Sequence, residues 1–256
     1  MFSFLKRKRP KCAALVPAAG SSRRMDGVNK LLLPLCGAPV LVRSLTSLQL
    51  AKRVDEIIVA TREEDLEEVS RLCKEYELTK CKKAIVGGDT REESVLRAAL
   101  EASRNADLFA VHDGARPLVT PELVDRVIET AERYGAAAPA IPLKDTIKRV
   151  QSDDGASDRH PLRVERTVSR DVLRAVQTPQ VFDANLLKAA LHSGLKEGAN
   201  LTDDCSAVER IGKTVFLIDG DEENLKITTP TDLLFAEAVL RKRMGGAARD
   251  ACGETS

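Results

Sequence analysis

Short aliphatic runs, separated by amphipathic stretches of helical length, set the architecture of this 256-residue chain. Parallel strands covered on both faces need crossover helices, and they read as unbroken runs of Val, Ile, Leu and Ala. Cys12-Ala-Ala-Leu-Val-Pro17 is the first such run; Glu56 to Thr61, a strand ending in Ala84-Ile-Val-Gly-Gly88, and Leu108-Phe-Ala-Val-His112 follow. Helices are predicted between them, from Pro39 to about Leu50, from Glu63 to Tyr76 and from Thr90 to about Ser103. The last opens on Thr90-Arg-Glu-Glu93, which matches a capping box. A further helix starts at Thr120-Pro-Glu122, gathers Leu123, Val124, Val127, Ile128 and Ala131 on one apolar face, and stops at Gly135. Ala136 to Ile141 is the next strand, and the order without internal repeats predicts an α/β fold.

From Pro142 to about Arg170 the pattern changes. The stretch is polar, with a turn at Asp153-Asp154-Gly155 between alternating segments, Thr146 to Val150 and Val164 to Val168, and it predicts a projecting hairpin arm. Two strands cannot bury both faces alone, so the arm either pairs with a second subunit or stands in solvent. Beyond it the sequence predicts a strand ending at Thr178-Pro179, helices from about Ala184 and from Thr202-Asp203, a strand from Thr214 to Asp219, and a closing helix from Thr231. The expected division is a basic tail over 1–11, one domain over 12–244 carrying the arm at about 142–170, and a second tail over 245–256.

Charge and composition narrow the function classes. Forty Lys and Arg against 39 Asp and Glu leave a net charge of +1, too little to neutralise a nucleic-acid backbone, so any anion site must be local. Trp is absent and aromatics are 3%, which leaves little material for base-stacking platforms. Cys12, Cys36, Cys73, Cys81, Cys205 and Cys252 contain no C-x-x-C pair and read as reduced, mostly packed thiols. The basic run after Met1 is the reverse of a secretory signal, and no segment has the ~18 uninterrupted apolar residues of a membrane span. A cytoplasmic protein without nucleic-acid or membrane partners is expected.

Three segments could carry chemistry. Pro17-Ala-Ala-Gly-Ser-Ser-Arg-Arg-Met25, followed by Lys30, puts small residues and fixed positive charge just after a strand, as a polyphosphate site needs; a merely solvated surface loop is the alternative. Neither G-x-x-x-x-G-K-[ST] nor G-x-G-x-x-G is present, which counts against ATPase and dinucleotide readings. Val111-His-Asp-Gly-Ala-Arg-Pro117 brings Asp113 and Arg116 to the carboxyl end of another strand, where ligands sit in open α/β sheets. Asp113 could hold a ribose hydroxyl or a metal-bound water, or pair with Arg116 in a plain turn, and His112 reads as a packing residue. Asp219-Gly-Asp221 invites comparison with the Asp-x-Asp metal motif of glycosyltransferases but reads better as an acidic turn, while Lys226 could hold a second phosphate.

Pro17-Ala-Ala-Gly20 with Arg24, Met25 and Lys30, then Gly87-Gly-Asp-Thr-Arg-Glu-Glu-Ser94, His112-Asp-Gly-Ala-Arg-Pro117, Asp145-Thr-Ile-Lys148, Thr178-Pro-Gln180, Thr202-Asp203 and Asn224-Leu-Lys-Ile227 together resemble the 2-C-methyl-D-erythritol 4-phosphate cytidylyltransferases, in the same order and from about Ala13 to Arg241. The resemblance implies a single Rossmann-like nucleotidyltransferase domain of the glycosyltransferase-A-like type, with a mostly parallel sheet and a β-hairpin dimerisation arm. It also implies CTP and methylerythritol phosphate as substrates, Mg²⁺ as cofactor, pyrophosphate as product and a homodimer that completes each site through the arm. By motif, Arg24 and Lys30 would stabilise the transition state on the triphosphate, while Pro17, Ala18, Ala19, Gly20, Gly88, Asp89, Ser94 and Asp113 would bind CTP. Asp113, Arg116, Thr146, Arg170, Thr178, Thr202 and Lys226 would receive the acceptor, with Arg170 and Lys226 positioning its phosphate. Ser21-Ser22, Asn29 and Gly114 depart from the usual Gly, Pro and Ala, and leave the charges in place.

Two rivals remain at this level. A ribitol 5-phosphate cytidylyltransferase would share fold and chemistry, but its first loop typically has Ala-Gly-Gly, and Thr167-Val-Ser-Arg170 favours the methylerythritol phosphate enzyme. A nucleotide-binding regulator without turnover has no need of Arg24, Lys30, Arg170 and Lys226 together.

Overall fold

The computed structural model describes residues 9–20, 29–151 and 162–245. Arg24 and Met25 of the first loop, the Asp153-Asp154-Gly155 turn and most of both tails lie outside these residues. In chain order the elements are β1 (Cys12–Pro17), β2 (Pro34–Leu35), β3 (Ala38–Pro39), α1 (Val40–Leu50), β4 (Val54–Thr61), α2 (Leu66–Glu75), β5 (Cys81–Val86), α3 (Arg91–Glu101), β6 (Leu108–Val111), α4 (Pro121–Tyr134) and β7 (Ala136–Pro142). Then come β8 (Ile147–Val150), β9 (Val164–Val168), β10 (Arg174–Val176), β11 (Gln180–Asp183), α5 (Ala184–Lys196), α6 (Asp204–Arg210), β12 (Phe216–Asp219) and α7 (Pro230–Met244).

An eight-stranded sheet runs β10-β7-β11-β6-β1-β4-β5, with β12 added beside β7. The pairs β1–β4, β1–β6, β4–β5 and β7–β12 are parallel, and β11 enters antiparallel between β6 and β7. Alternation along each strand splits the core into two layers. Cys12, Ala14 and Val16 of β1, Ile57 and Val59 of β4, and Leu108 and Ala110 of β6 meet α1, α4 and α7. Ala13 and Leu15, Ile58 and Ala60, and Phe109 and Val111 meet α3, α5 and α6 on the other face. After β1 the chain adds β4 and β5 to one side and then crosses to place β6 on the other, so the order reverses between β1 and β6. A crevice opens there, beyond the carboxyl ends of the strands.

The α4 face is as expected: the same five residues are buried, and Gly135 closes the helix in the left-handed region at φ 86°. The predicted arm forms as β8 and β9, an antiparallel pair of their own in which Ile147 opposes Val168 and Val150 opposes Val164. Three expectations need correction. The strand ending at Thr178-Pro179 is instead two short strands, β10 and β11, hinged at a cis Thr178–Pro179 bond, because Pro179 ends one run while the four residues after it continue the sheet. The capping box at Thr90 is half made: Thr90 accepts from the Glu93 N–H, but the Glu93 carboxylate accepts from Asp89 at 2.9 Å. Cys12, Cys73, Cys81 and Cys205 are free thiols, whereas Cys36 is disulfide-bonded, a pairing that sequence spacing does not reveal. Among the described residues no helix is long and apolar enough to cross a membrane.

Candidate active site

The crevice is a cleft of about 440 Å³ at the reversal point. One wall is the loop leaving β1, Pro17 to Gly20, and Lys30 also lines the cleft; a second wall is Gly88 and Asp89 after β5, with Ser94 from α3. Asp113, after β6, and Lys226, after β12, complete it. The first two walls touch: a Cβ on Gly87 would lie 2.8 Å from the Ala19 Cβ and 2.7 Å from the Ser94 hydroxyl, so only glycine lets these loops approach so closely. The Ser94 hydroxyl accepts from the Gly88 N–H at 3.0 Å and donates to the Thr90 carbonyl at 2.9 Å, fixing the loop from behind. A Cβ at Gly20, in contrast, would meet open space.

Asp113 is the electrostatic centre. One carboxylate oxygen lies 2.8 Å from the Lys226 ammonium and 3.8 Å from Arg116 Nε; the other lies 3.3 Å from Arg91 Nη2. Burial alone would push this carboxyl up, but Arg91, then Lys226 and Arg116, reverse that and hold it well below the usual carboxylate range. Lys226 is delivered by a segment pinned at several points. Arg116 Nη1 donates to the Asn224 carbonyl at 2.7 Å, the Ile227 N–H to Ala115 at 2.8 Å, and the Asn224 amide to the Thr178 carbonyl at 3.0 Å. Gln177 binds the Asp221 carbonyl at 2.7 Å on the same turn.

Beneath Asp113, the Thr178 hydroxyl accepts from the Asp113 N–H at 3.1 Å, which leaves its own proton for His112 Nδ1 at 3.0 Å. His112 Nε2 then carries the proton toward the Arg116 carbonyl, 3.3 Å away. Complete burial pushes His112 down to about 4, although Asp113 opposes the shift, so the ring is neutral and both nitrogens are engaged. His112 is a packing residue, as its place at a strand end predicts.

The cleft therefore gathers Pro17, Ala18, Ala19, Gly20, Lys30, Gly88, Asp89, Ser94, Asp113 and Lys226. Arg116 and Thr178 support it from behind, Thr178 being buried with its hydroxyl committed. Thr202 is exposed beside the N-cap of α6, and Thr146 and Arg170 are exposed on the arm and its base, away from this cleft. Arg24 lies outside the described residues. Asp221 accepts from the Glu223 N–H at 2.8 Å, which makes the Asp219-Gly-Asp221 segment an acidic turn.

Two residues at this site escaped the sequence reading. Arg91, which lines the cleft, reaches Asp204 at 2.8 Å as well as Asp113, and Asp204 is completely buried. A signal was present: a cation in the first turn of a helix opposes the helix dipole, so Arg91 there needs a local reason. Asp204 follows an Asp203 that already caps α6, leaving the second acid unexplained by capping.

A profile of the 2-C-methyl-D-erythritol 4-phosphate cytidylyltransferase family matches residues 12–242. The chain belongs to that family. Among its relatives, the 2-C-methyl-D-erythritol 4-phosphate cytidylyltransferase of Halalkalibacterium halodurans is 39% identical over 90% of this chain and 97% of its own length. The protein of that name from Bacillus cereus is 41% identical over 89% and 96%. Solved structures agree: 4-diphosphocytidyl-2C-methyl-D-erythritol synthase from Anaerococcus prevotii superposes with a TM-score of 0.78 at 29% identity, covering 90% of this chain and 96% of its own. The cytidylyltransferase from Thermus thermophilus does so at 0.71 and 32%, covering 89% and 98%. As a member of the cytidylyltransferase family, the chain is a nucleotidyltransferase.

Proposed function

We propose that this protein transfers CMP from CTP to 2-C-methyl-D-erythritol 4-phosphate, giving 4-diphosphocytidyl-2-C-methyl-D-erythritol and pyrophosphate. The observation that carries the reading is the Asp113–Lys226 pair in a cleft at the reversal point of the sheet, with Lys30 lining the same cleft. An acceptor phosphate oxygen attacks the α-phosphorus of CTP in line, the new P–O bond forms as the bond to the β-phosphate oxygen breaks, and pyrophosphate leaves. A phosphate monoester is already largely dianionic at neutral pH, so the attack needs no strong base. This fits a cleft whose histidine is neutral and engaged at both ring nitrogens. What the reaction needs is positioning and neutralisation of charge.

In this reading Arg24 and Lys30 act on the triphosphate. Gly88, Asp89 and the loop from Pro17 to Gly20 surround the cytidine, whose base is read by backbone and small side chains rather than by an aromatic platform. Lys226, with Thr146 and Arg170 from the arm of a second subunit, holds the acceptor phosphate, and Arg116, Thr178 and Thr202 support the acceptor side. The working unit is then a cytoplasmic homodimer. Mg²⁺ fits as a passenger of the nucleotide: among the described residues no group of three His, Cys, Asp or Glu could cage it, and Asp113 is engaged by cations. Carried mainly on the triphosphate, it would supply neutralisation of phosphate charge.

The test is pyrophosphate release from CTP, UTP and ATP with methylerythritol phosphate and with ribitol 5-phosphate, each with and without Mg²⁺. Release with CTP and methylerythritol phosphate, dependent on Mg²⁺, is expected. Turnover of ribitol 5-phosphate alone would move the assignment to the sister enzyme, and no release with either acceptor would favour a binding protein.

A further inference from the structure

Arg91 spans the floor of the cleft between acids that come from different elements. Its Nη2 is shared by Asp204 Oδ2 at 2.8 Å and Asp113 Oδ1 at 3.3 Å. Asp204 is fully buried on α6, and neither of its carboxylate oxygens has a hydrogen-bond partner, so the ion pair with Arg91 is what offsets its burial. Asp113 meets Arg91 through one oxygen and Lys226, at 2.8 Å, through the other. Fixing the first oxygen fixes the plane of the carboxylate and hence where the second one holds the ammonium. Arg91 also begins α3, whose preceding loop forms the wall proposed for the nucleotide, while Asp204 begins α6 just after Thr202, on the side proposed for the acceptor.

We propose that Arg91 is a positioning residue: anchored by Asp204, it orients the Asp113 carboxylate, which in turn holds Lys226 ready for the acceptor phosphate. The inference rests on the reading of Lys226 as the acceptor-phosphate group. Arg91→Leu alone strands the Asp204 charge in the core, so the informative variant is Arg91→Leu with Asp204→Leu, which removes both charges and keeps the volume apolar. Asp113 is faced by Arg91 from α3, Lys226 after β12 and Arg116 from its own loop, with His112 and the Thr178 hydroxyl beneath it and Asp204 behind Arg91. Among these, the charge of Arg91, together with Lys226 and Arg116, keeps the carboxyl ionised against its burial. Without it the Asp113 carboxyl titrates at higher pH.

The expected result is a folded double variant whose KM for the acceptor rises about tenfold while KM for CTP stays within about twofold. The acid limb of its kcat/KM should move to higher pH. Arg91→Lys, which keeps the charge, should recover part of both effects. A folded double variant with unchanged acceptor KM and pH profile, or with equal losses for both substrates, overturns the proposal. The acceptor used is whichever one the wild-type protein turns over. Should it turn over neither, the function reading fails separately, and a ¹³C NMR titration of the Asp113 carboxyl in the substrate-free protein decides. An upward shift in the double variant supports the positioning role, and an unmoved titration overturns it.

Discussion

At the cleft, Asp113 is touched by Arg91, Lys226 and Arg116, its backbone N–H is held by Thr178, and the segment bearing Lys226 is pinned by Arg116, Gln177 and Asn224. On the arm, Thr146 and Arg170 stand exposed, and among the described residues β8 pairs only with β9. The arm's own polar contacts, Arg149 with Glu165 at 2.9 Å and Lys148 with Thr167 at 2.7 Å, are exposed. Such surface pairs contribute about 0–1 kcal/mol each. The contrast teaches where preorganisation comes from: strand ends in a packed sheet hold their charges in place within one chain, while a two-stranded arm must be held by whatever it docks against.

The largest expected effect breaks or sharpens that contrast directly. Lys226→Ala and Arg170→Ala should each lower kcat/KM by about 10²–10³-fold, since each removes a cation that holds the dianionic acceptor phosphate in line for attack. If the arm serves a neighbour, mixing the two inactive chains builds one doubly damaged site and one intact site in each mixed dimer. Random exchange then restores about a quarter of wild-type activity, because half the dimers are mixed and half their sites are whole. Pyrophosphate release before and after verified subunit exchange measures this. No recovery would place Arg170 and Lys226 in the same chain's site or outside the reaction.

A second effect belongs to the cleft alone. His112 is neutral when folded, held near 4 by burial, against an ordinary value near 6.5. The unfolded chain therefore binds the proton first as pH falls. Stability contributed by the neutral ring is fully present above about 6.5, and falls progressively to about 4, where roughly 3 kcal/mol is lost. His112→Gln keeps a polar side chain without that titration. Urea unfolding between pH 7 and pH 4.5 should show a shallower loss in the variant than in the wild-type protein. Equal slopes would mean that His112 is not the group responsible.

How far the sequence reveals each region follows the same physical division. The α4 face, the β1 run and the glycine pair at 87–88 were readable because periodicity and local backbone demands are written in neighbouring residues. Strand β11 was not, since four residues after a proline carry too little pattern to separate a new strand from the end of an old one. The Arg91–Asp204 pair joins residues far apart in sequence, and only its local oddities, a cation at a helix start and an acid beside an existing cap, hinted at it. The residues themselves made Lys226 a candidate for a second phosphate and the resemblance supplied Arg170, while the reason Lys226 sits where it does lies in Asn224, Gln177 and Arg116, whose roles appear only after folding.

The smallest effect tests the arm from the other direction. Val150 and Val164 oppose each other across β8 and β9, and both are partly exposed, at 38% and 52%. If β8 and β9 rest on nothing else in their own chain, Val164→Ala should change the stability of a dilute, monomeric sample by less than about 0.5 kcal/mol. A core substitution such as Leu15→Ala should cost about 2–5 kcal/mol under the same conditions. If a second subunit covers the arm, the Val164→Ala cost should grow with protein concentration, because binding stabilises only the associated state. Urea midpoints measured over a hundredfold range of concentration separate the cases. A cost of 2 kcal/mol at every concentration would mean that the arm packs against its own chain, and the contrast between a self-sufficient cleft and a dependent arm would no longer hold.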